Sequence, residues 1–154
     1  MESVHWKVSN FADLKLEELY RILEARQEVF VVEQKCIYLD CDFKDQSSLH
    51  LFAERSDKLA AYCRIVPPGL TFSEPSIGRV ITTKYFRKGG YGRELMKRAI
   101  QVTQEYYPSS PIRLSAQAYL ERFYSSFGFE VISEQYLEDG IEHVEMLLSP
   151  TSSL

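Results

Sequence analysis

Paired cysteines are missing from this chain: Cys36, Cys41 and Cys63 are odd in number and form no CxxC, which argues against a disulfide framework. A zinc site drawn through Cys36, Cys41 and His50 matches no closed structural spacing, so no metal is expected. No apolar run approaches the ~20 residues needed to span a bilayer, so no membrane partner is expected. The opening Met1-Glu2-Ser3-Val4-His5 has neither a cationic stretch nor an apolar core, so no signal peptide is expected and the expected location is cytoplasmic. Excess positive charge is absent as well. With 18 Lys and Arg against 22 Asp and Glu, the net charge of −4 speaks against broad electrostatic binding to nucleic acid. Internal repeats and low-complexity segments are also lacking. The 154 residues leave room for one domain, expected over 1–150, with a polar tail at 151–154 expected to fray.

Glycine is scarce, and its distribution is informative. Of seven glycines, three fall at Gly89, Gly90 and Gly92, next to most of the local cations (Lys84, Arg87, Lys88, Arg93, Lys97, Arg98). The β-branched run before them reads as a strand over Ile77–Thr83 and the amphipathic run after them as a helix. A glycine-rich turn between strand and helix lets successive N–H groups converge on an anion at the positive helix end. A pyrophosphate is the expected ligand. The Walker pattern is excluded because Gly92 is followed by Arg93-Glu94 rather than Lys and a hydroxyl residue. The dinucleotide pattern GxGxxG fails at Leu95, where its third glycine would stand. RxxGxG fits, with Arg87, Gly90 and Gly92.

Taken in order, Val4–Val8 reads as a short strand. Asp13 is placed to cap a helix over about 14–32 whose apolar face is Leu16, Leu19, Tyr20, Leu23 and Phe30. Arg26 falls on the buried stripe, where it needs a carboxylate partner or a role in holding substrate or the next loop. Residues 33–49 lack a period and carry Glu33, Asp40, Asp42 and Asp45 beside Tyr38 and Phe43. They read as a long loop, either solvated or able to receive an amine. Two apolar runs, 49–54 and 59–66, make a hairpin. The helix after Gly92 should pack Leu95, Met96, Ala99, Ile100, Val102, Thr103 and Tyr106, and stop before Pro108. A strand at 111–116, a helix at about 119–127 closed by Gly128, and strands at 130–137 and 141–148 joined through Asp139-Gly140 complete the chain. The order β, α, β, β, β, α, β, α, β, β requires a mixed sheet flanked by helices.

RxxGxG is the coenzyme A pyrophosphate motif of the GNAT superfamily of N-acyltransferases, and the chain resembles that superfamily throughout. It is most similar to the ElaA-like group. The shared features are Arg26 with 29–34, Cys36, Tyr38, Asp40, Asp42, His50, Tyr62 with Arg64, Arg79-Val80, the loop 87–92, Gln117-Ala118, Phe123-Tyr124, 127–129 and Asp139-Gly140-Ile141 with His143. Thr82 and Thr83 depart from the apolar residues of many relatives. The resemblance implies an α/β GNAT fold, with a mostly antiparallel mixed sheet of six to seven strands. It also implies transfer of the acetyl group of acetyl-CoA to an amine of a small molecule or protein, by direct attack in a ternary complex. The alternative is an acyl-CoA sensor without turnover.

On the same basis the coenzyme is expected against Val80, Ile81, Thr82, Arg87, Lys88, Gly89, Gly90, Tyr91, Gly92, Arg93, Gln117, Phe123 and Tyr124. Unpaired main-chain groups of a splayed motif strand would bond the pantetheine. Arg26, Glu33, Arg64 and Arg79 are the expected acceptor-side residues. Tyr124 stands where the superfamily has a general acid for the leaving thiolate. Because an ammonium has no lone pair, a base is also needed, and Glu33, Asp45 and His50 are the candidates, Glu33 first. Monomer and homodimer both remain open.

Overall fold

The computed structural model describes residues 3–150; the tail expected to fray, 151–154, and the start of the chain, 1–2, lie outside the described residues. Eight strands form one sheet: β1 (His5–Asn10), β2 (Leu49–Arg55), β3 (Lys58–Val66), β4 (Ser76–Thr82), β5 (Ile112–Gln117), β6 (Glu130–Val131), β7 (Tyr136–Glu138) and β8 (Ile141–Leu148). Their order is β1-β2-β3-β4-β5-β8-β6, with β7 also on β8. The count exceeds six to seven because the strand expected over 130–137 is broken. Its ends pair with β8 as β6 and β7, while between them the Ser133 hydroxyl accepts the Glu145 N–H at 2.9 Å. No helix among the described residues is long and apolar enough to cross a membrane.

The apolar run of β3 is buried on both faces. Ala61, Cys63 and Ile65 join Leu95, Met96 and Ala99 of α2 (Tyr91–Tyr106) and Tyr124 of α3 (Glu121–Ser125). On the other face, Tyr62 joins Phe52, Ile81 and the α1 (Leu16–Arg26) residues Ile22 and Ala25. Each large apolar side chain sealed this way contributes roughly 1.5–3 kcal/mol. β5 alternates cleanly: Ile112, Leu114 and Ala116 enter the core, so Arg113, Ser115 and Gln117 face the side that α1 covers only over β2 to β4.

The first helix departs from expectation in three ways. Phe11–Asp13 is a 3₁₀ turn, so the helix begins after Lys15 rather than at an Asp13 cap, and the Glu18 carboxylate reaches back to the Lys15 N–H at 2.8 Å. The inward stripe is Glu18, Ile22, Ala25 and Arg26, whereas Leu16 and Tyr20 are 86% and 77% exposed. Polar residues took the inner face because each has a fixed partner. Beyond Arg26 the helix widens to π geometry over Gln27–Glu33. Val29, Phe30, Val31 and Val32 are β-branched or aromatic and have little α preference to lose. The second packing face held except for Tyr106, which is exposed, and the third helix is shorter than read because Ala118–Leu120 is a 3₁₀ turn.

Two irregularities shape the middle of the sheet. β3 and β4 pair Tyr62 with Ile81 and Arg64 with Gly78, so Arg79 and Val80 oppose Cys63 alone. Arg79 takes φ +50 in this bulge. β4 and β5 are parallel and share one register position, Ser76 with Arg113, after which they part. Beyond Ser76 the edge of β4 has no strand partner on that side among the described residues.

The bulge and the 34–44 loop are tied together by charge. Arg26, fully buried, donates from Nε to Asp40 Oδ2 and from Nη1 to Asp45 Oδ1, both at 2.7 Å. Arg79 donates from Nε to Asp40 Oδ1 at 2.8 Å, and Arg64 donates to both oxygens of Asp42 at 2.7 and 2.6 Å and to Asp45 at 3.0 Å. Three guanidiniums thus neutralise three carboxylates. Removing one partner leaves buried charge uncompensated, which costs about 3–5 kcal/mol. Arg26→Leu is therefore expected to lose stability of that order in urea denaturation; a change below about 1 kcal/mol would mean that the pairs do not hold the loop.

Candidate active site

Where β4 and β5 diverge the structure opens a cavity of about 860 Å³. One wall is β4 from Ser76 to Thr82, the π-helical segment contributes Val29, Phe30, Glu33 and Gln34, and β5 and α3 contribute Ser115, Gln117 and Tyr124. Glu138 of β7, Asp139 of the turn after it, and Ile141 and His143 of β8 also line it. Free main-chain groups of β4, a polar β5 face and a phenol therefore share one space.

Gly90 is the residue before α2 and takes φ +81, a left-handed conformation that glycine accepts without strain, and a Cβ built there meets nothing within 4 Å. The first N–H groups of the 16-residue helix have no intrahelical acceptors, and their dipole favours an anion. At Gly92 a Cβ would touch Thr82 Cγ2 at 3.7 Å and Phe123 Cζ at 3.9 Å, so the glycine turn abuts the end of the cavity wall. Tyr91 turns inward and packs edge-on to Phe86 at 5.9 Å.

Of the expected coenzyme residues, Val80, Ile81, Thr82, Arg87, Gln117 and Tyr124 line the cavity. Lys88, Gly89, Gly90, Tyr91, Gly92, Arg93 and Phe123 are not in its wall; Arg93 instead reaches Ser126 at 3.1 Å. Arg87 lies over the end of β4, donating to Thr82 O at 3.1 Å and to both Glu33 oxygens at 2.8 and 2.9 Å. That hydrogen bond, reinforced by the Arg87 and Lys84 charges, holds the Glu33 carboxyl below its usual range. While Arg87 holds it, this carboxylate is a poor proton acceptor, so Glu33 meets the base role expected of it only once Arg87 is drawn away.

His50 is also misplaced for that role. It is fully buried outside the cavity wall, with Nε2 at 2.9 Å from Asp45 O and Nδ1 at 2.8 Å from the Tyr62 hydroxyl. A carbonyl only accepts, so Nε2 carries the proton and Nδ1 receives the hydroxyl, which leaves no free lone pair. Asp45 is consumed by Arg26 and Arg64. Of the expected acceptor-side arginines, Arg26 is sealed inside, while Arg64 and Arg79 reach the wall with their guanidiniums held by Asp40, Asp42 and Asp45. Among the described residues, Arg64 Nε is the buried side-chain nitrogen left without a hydrogen-bond partner.

Tyr124 is 6% exposed, stands in the cavity wall, and packs edge-on to Phe123 at 5.2 Å. Its hydroxyl has no hydrogen-bond partner among the described residues. Burial pushes the phenol above its ordinary range, so it stays protonated at neutral pH. His143 was noted in the sequence only as a shared feature. It is 7% exposed, lines the cavity, and sits at 2.7 Å from Ile141 O through Nδ1 and 3.4 Å from Glu138 Oε2 through Nε2. Its pairing with Gln117 across β5 and β8 puts both on the cavity face, a placement that the strand alternation of 141–148 could have revealed.

A parallel strand pair that parts, a bulged strand with a free edge, and a glycine turn opening a helix beside it define an acyl-CoA acyltransferase architecture of the GNAT type. The chain belongs to that family: residues 12–150 match the acetyltransferase (GNAT) domain. It is 37% identical over 145 residues to protein ElaA of Escherichia coli, covering 93% of this chain and 95% of that one. A UPF0039 protein of Synechocystis is 43% identical over 145 residues, 94% of each chain. Among solved structures, an acyl-CoA N-acyltransferase from Pseudomonas aeruginosa superposes with TM-score 0.91 at 42% identity, covering 96% of this chain and all of that one. The crystal structure of Escherichia coli ElaA gives 0.90 at 36%, with the same coverage.

The depressed carboxylates set a pH dependence. Burial opposes the charge on Asp42 and Asp45, but hydrogen bonds and charges from Arg64 on Asp42, and from Arg26 and Arg64 on Asp45, outweigh it and hold both below the carboxylate range. A depressed acid contributes stability above its unfolded pKa, ~3.9 for Asp, and loses it as pH falls through the folded value. Urea denaturation free energies are expected to carry this contribution undiminished at neutral pH and to fall steeply below about pH 4. A loss centred near neutrality would contradict this assignment.

Proposed function

We propose that the protein transfers the acetyl group of acetyl-CoA to an amine, by direct attack while both substrates are bound. The observation that carries the proposal is the conjunction of the unpartnered β4 edge with the Gly90 turn at the start of α2. Acetyl-CoA as the donor fits the family and the fold, and the residues present suit it. Arg87 and the N–H groups of the turn would take the pyrophosphate, Arg87 giving up Glu33 as it does so. The β4 main chain from Val80 to Thr82 would bond the pantetheine amides and polarise the thioester carbonyl. Gln117 and Tyr124 stand on the opposite side of the same space.

The leaving thiolate needs a proton as the tetrahedral intermediate collapses. Tyr124, protonated, half-enclosed by aromatics and without a competing acceptor, is the donor in this reading. The function is tested by following free thiol when acetyl-CoA is supplied with a panel of alkylamines. Thiol release that depends on the amine supports transfer. Tight acetyl-CoA binding without release would instead indicate a sensor, and no binding at all would overturn the reading.

Tyr124→Phe keeps the ring contacts and removes only the hydroxyl. It is expected to leave acetyl-CoA affinity and thermal stability nearly unchanged while kcat falls about 10²-fold. A lowered melting temperature with intact turnover would make Tyr124 a core residue only.

A further inference from the structure

We propose that His143 is the general base, taking a proton from the acceptor ammonium at Nε2, with Glu138 stabilising the resulting imidazolium and passing the proton to water. This rests on the acyl-transfer reading above. Its ground is the hydrogen-bond geometry of the ring. Nδ1 lies 2.7 Å from the Ile141 carbonyl, which can only accept, so Nδ1 carries the proton in the neutral ring and Nε2 presents a lone pair. His50 has the opposite arrangement, with both nitrogens satisfied inside the core. Of these two histidines, only His143 is in the cavity wall.

The surroundings of His143 suit a base that must hold a positive charge briefly. Glu138 Oε2 is 3.4 Å from Nε2, and its side chain is 52% exposed, which connects the imidazolium to solvent. Tyr136 stacks on the ring with centroids 6.0 Å apart and is hydrogen-bonded through its hydroxyl to Ser115. The ring is therefore held in plane from β7 and fixed in tautomer from β8. Asp139 and the Cys36 thiol, which donates to Asp139 O at 3.3 Å, also line the cavity, while Glu145, two residues along β8 and outside the wall, is paired with Arg113 of β5 at 3.4 Å. Gln117, opposite on β5, is neutral. The Glu138 carboxylate beside Nε2 attracts an approaching ammonium.

The proton count closes. The ammonium gives one proton to Nε2, and the freed lone pair attacks the thioester carbon, forming the C–N bond. Collapse breaks the C–S bond, and the thiolate takes the Tyr124 proton. The second nitrogen proton restores the phenol, and the proton on His143 leaves through Glu138 as the net proton released. No oxidant, reductant or metal enters.

The test is the pH profile of kcat/KM with whichever alkylamine the wild-type protein accepts, run beside acetyl-CoA calorimetry and thermal melts. His143→Gln is expected to bind acetyl-CoA as wild type does and to lose about 10²-fold in rate at neutral pH. Its rate should then climb about tenfold per pH unit toward the alkylamine pKa of ~10.4, where the amine deprotonates unaided, while wild type levels off earlier. Glu138→Gln should lower kcat/KM several-fold at neutral pH with acetyl-CoA affinity unchanged, because the proton on Nε2 then has no carboxylate to carry it to water. A His143→Gln profile parallel to wild type, whatever its height, overturns the base assignment and leaves a structural role. Should His143→Gln not fold, a Glu138→Gln kcat/KM equal to wild type overturns it equally. Wild-type protein that releases no thiol with any amine overturns the acyl-transfer reading itself, and this assignment with it.

Discussion

Asp40 accepts Arg26 of α1 on one oxygen and Arg79 of β4 on the other, with the Tyr38 hydroxyl at 2.9 Å adding a third donor. One buried carboxylate thus joins the first helix, the irregular loop after it and the bulge of the central strand. Asp42 and Asp45 repeat the pattern through Arg64 of β3. The consequence is geometric. A non-glycine residue at φ +50 in the middle of a strand is unfavourable on its own. Here its side chain is held by two hydrogen bonds to Asp40, which over-determine the bulge. The bulge is thereby held in the strand that forms one wall of the cavity.

The divergence of β4 and β5 divides labour across the sheet. On the α2 and α3 side the core is continuous, with Leu95, Met96, Ala99, Leu114 and Met146 packed across both halves. On the α1 side only β2 to β4 are roofed by a helix, and the β5, β8 and β7 face stays polar: Ser115, Gln117, Tyr136, His143, Glu145. The cavity lies along this uncovered half, between β4 and β5. Binding capacity here is what remains when one half of one face is left without a helix.

Much of this was legible in the chain. The order of elements, the hairpin of 49–54 with 59–66 and a helix after the glycine turn followed from periodicity and turn residues, and a carboxylate partner for a buried Arg26 was one of its two readings, a substrate or loop role being the other. What could not be read depends on pairing at a distance. Leu16 and Tyr20 look like the apolar face of α1, but Glu18 is drawn inward by Lys7 at 2.9 Å and the Lys15 N–H, and Arg26 by Asp40 and Asp45. Sequence spacing gives no sign of partners 11, 14 and 19 residues away. The π widening after Arg26, the break between β6 and β7 and the two histidine tautomers are invisible for the same reason. Each is decided by which carbonyl or carboxylate the fold brings near.

Charge pairs differ in whether a ligand can exchange with them, and that difference separates structure from chemistry in this protein. The pairs of Arg26 lie almost wholly out of water, at 0% against 4% and 8% side-chain exposure, and Arg64 is 5% exposed against 24% for Asp42. Opening them strands a charge at several kcal/mol, so these arginines are unavailable to a substrate even where Arg64 and Arg79 reach the cavity wall. Arg87 with Glu33, and His143 with Glu138, are both at the margin of the same cavity and half-open to solvent on at least one partner. Exposed pairs of this kind contribute about 0–1 kcal/mol and part readily. In the proposed reaction a phosphate would displace Glu33 from Arg87, and an ammonium would approach Glu138, without disturbing the fold. The sequence drew attention to the sealed charges because they are many and clustered; the exchangeable ones are fewer, and only the three-dimensional position of each relative to water tells the two kinds apart.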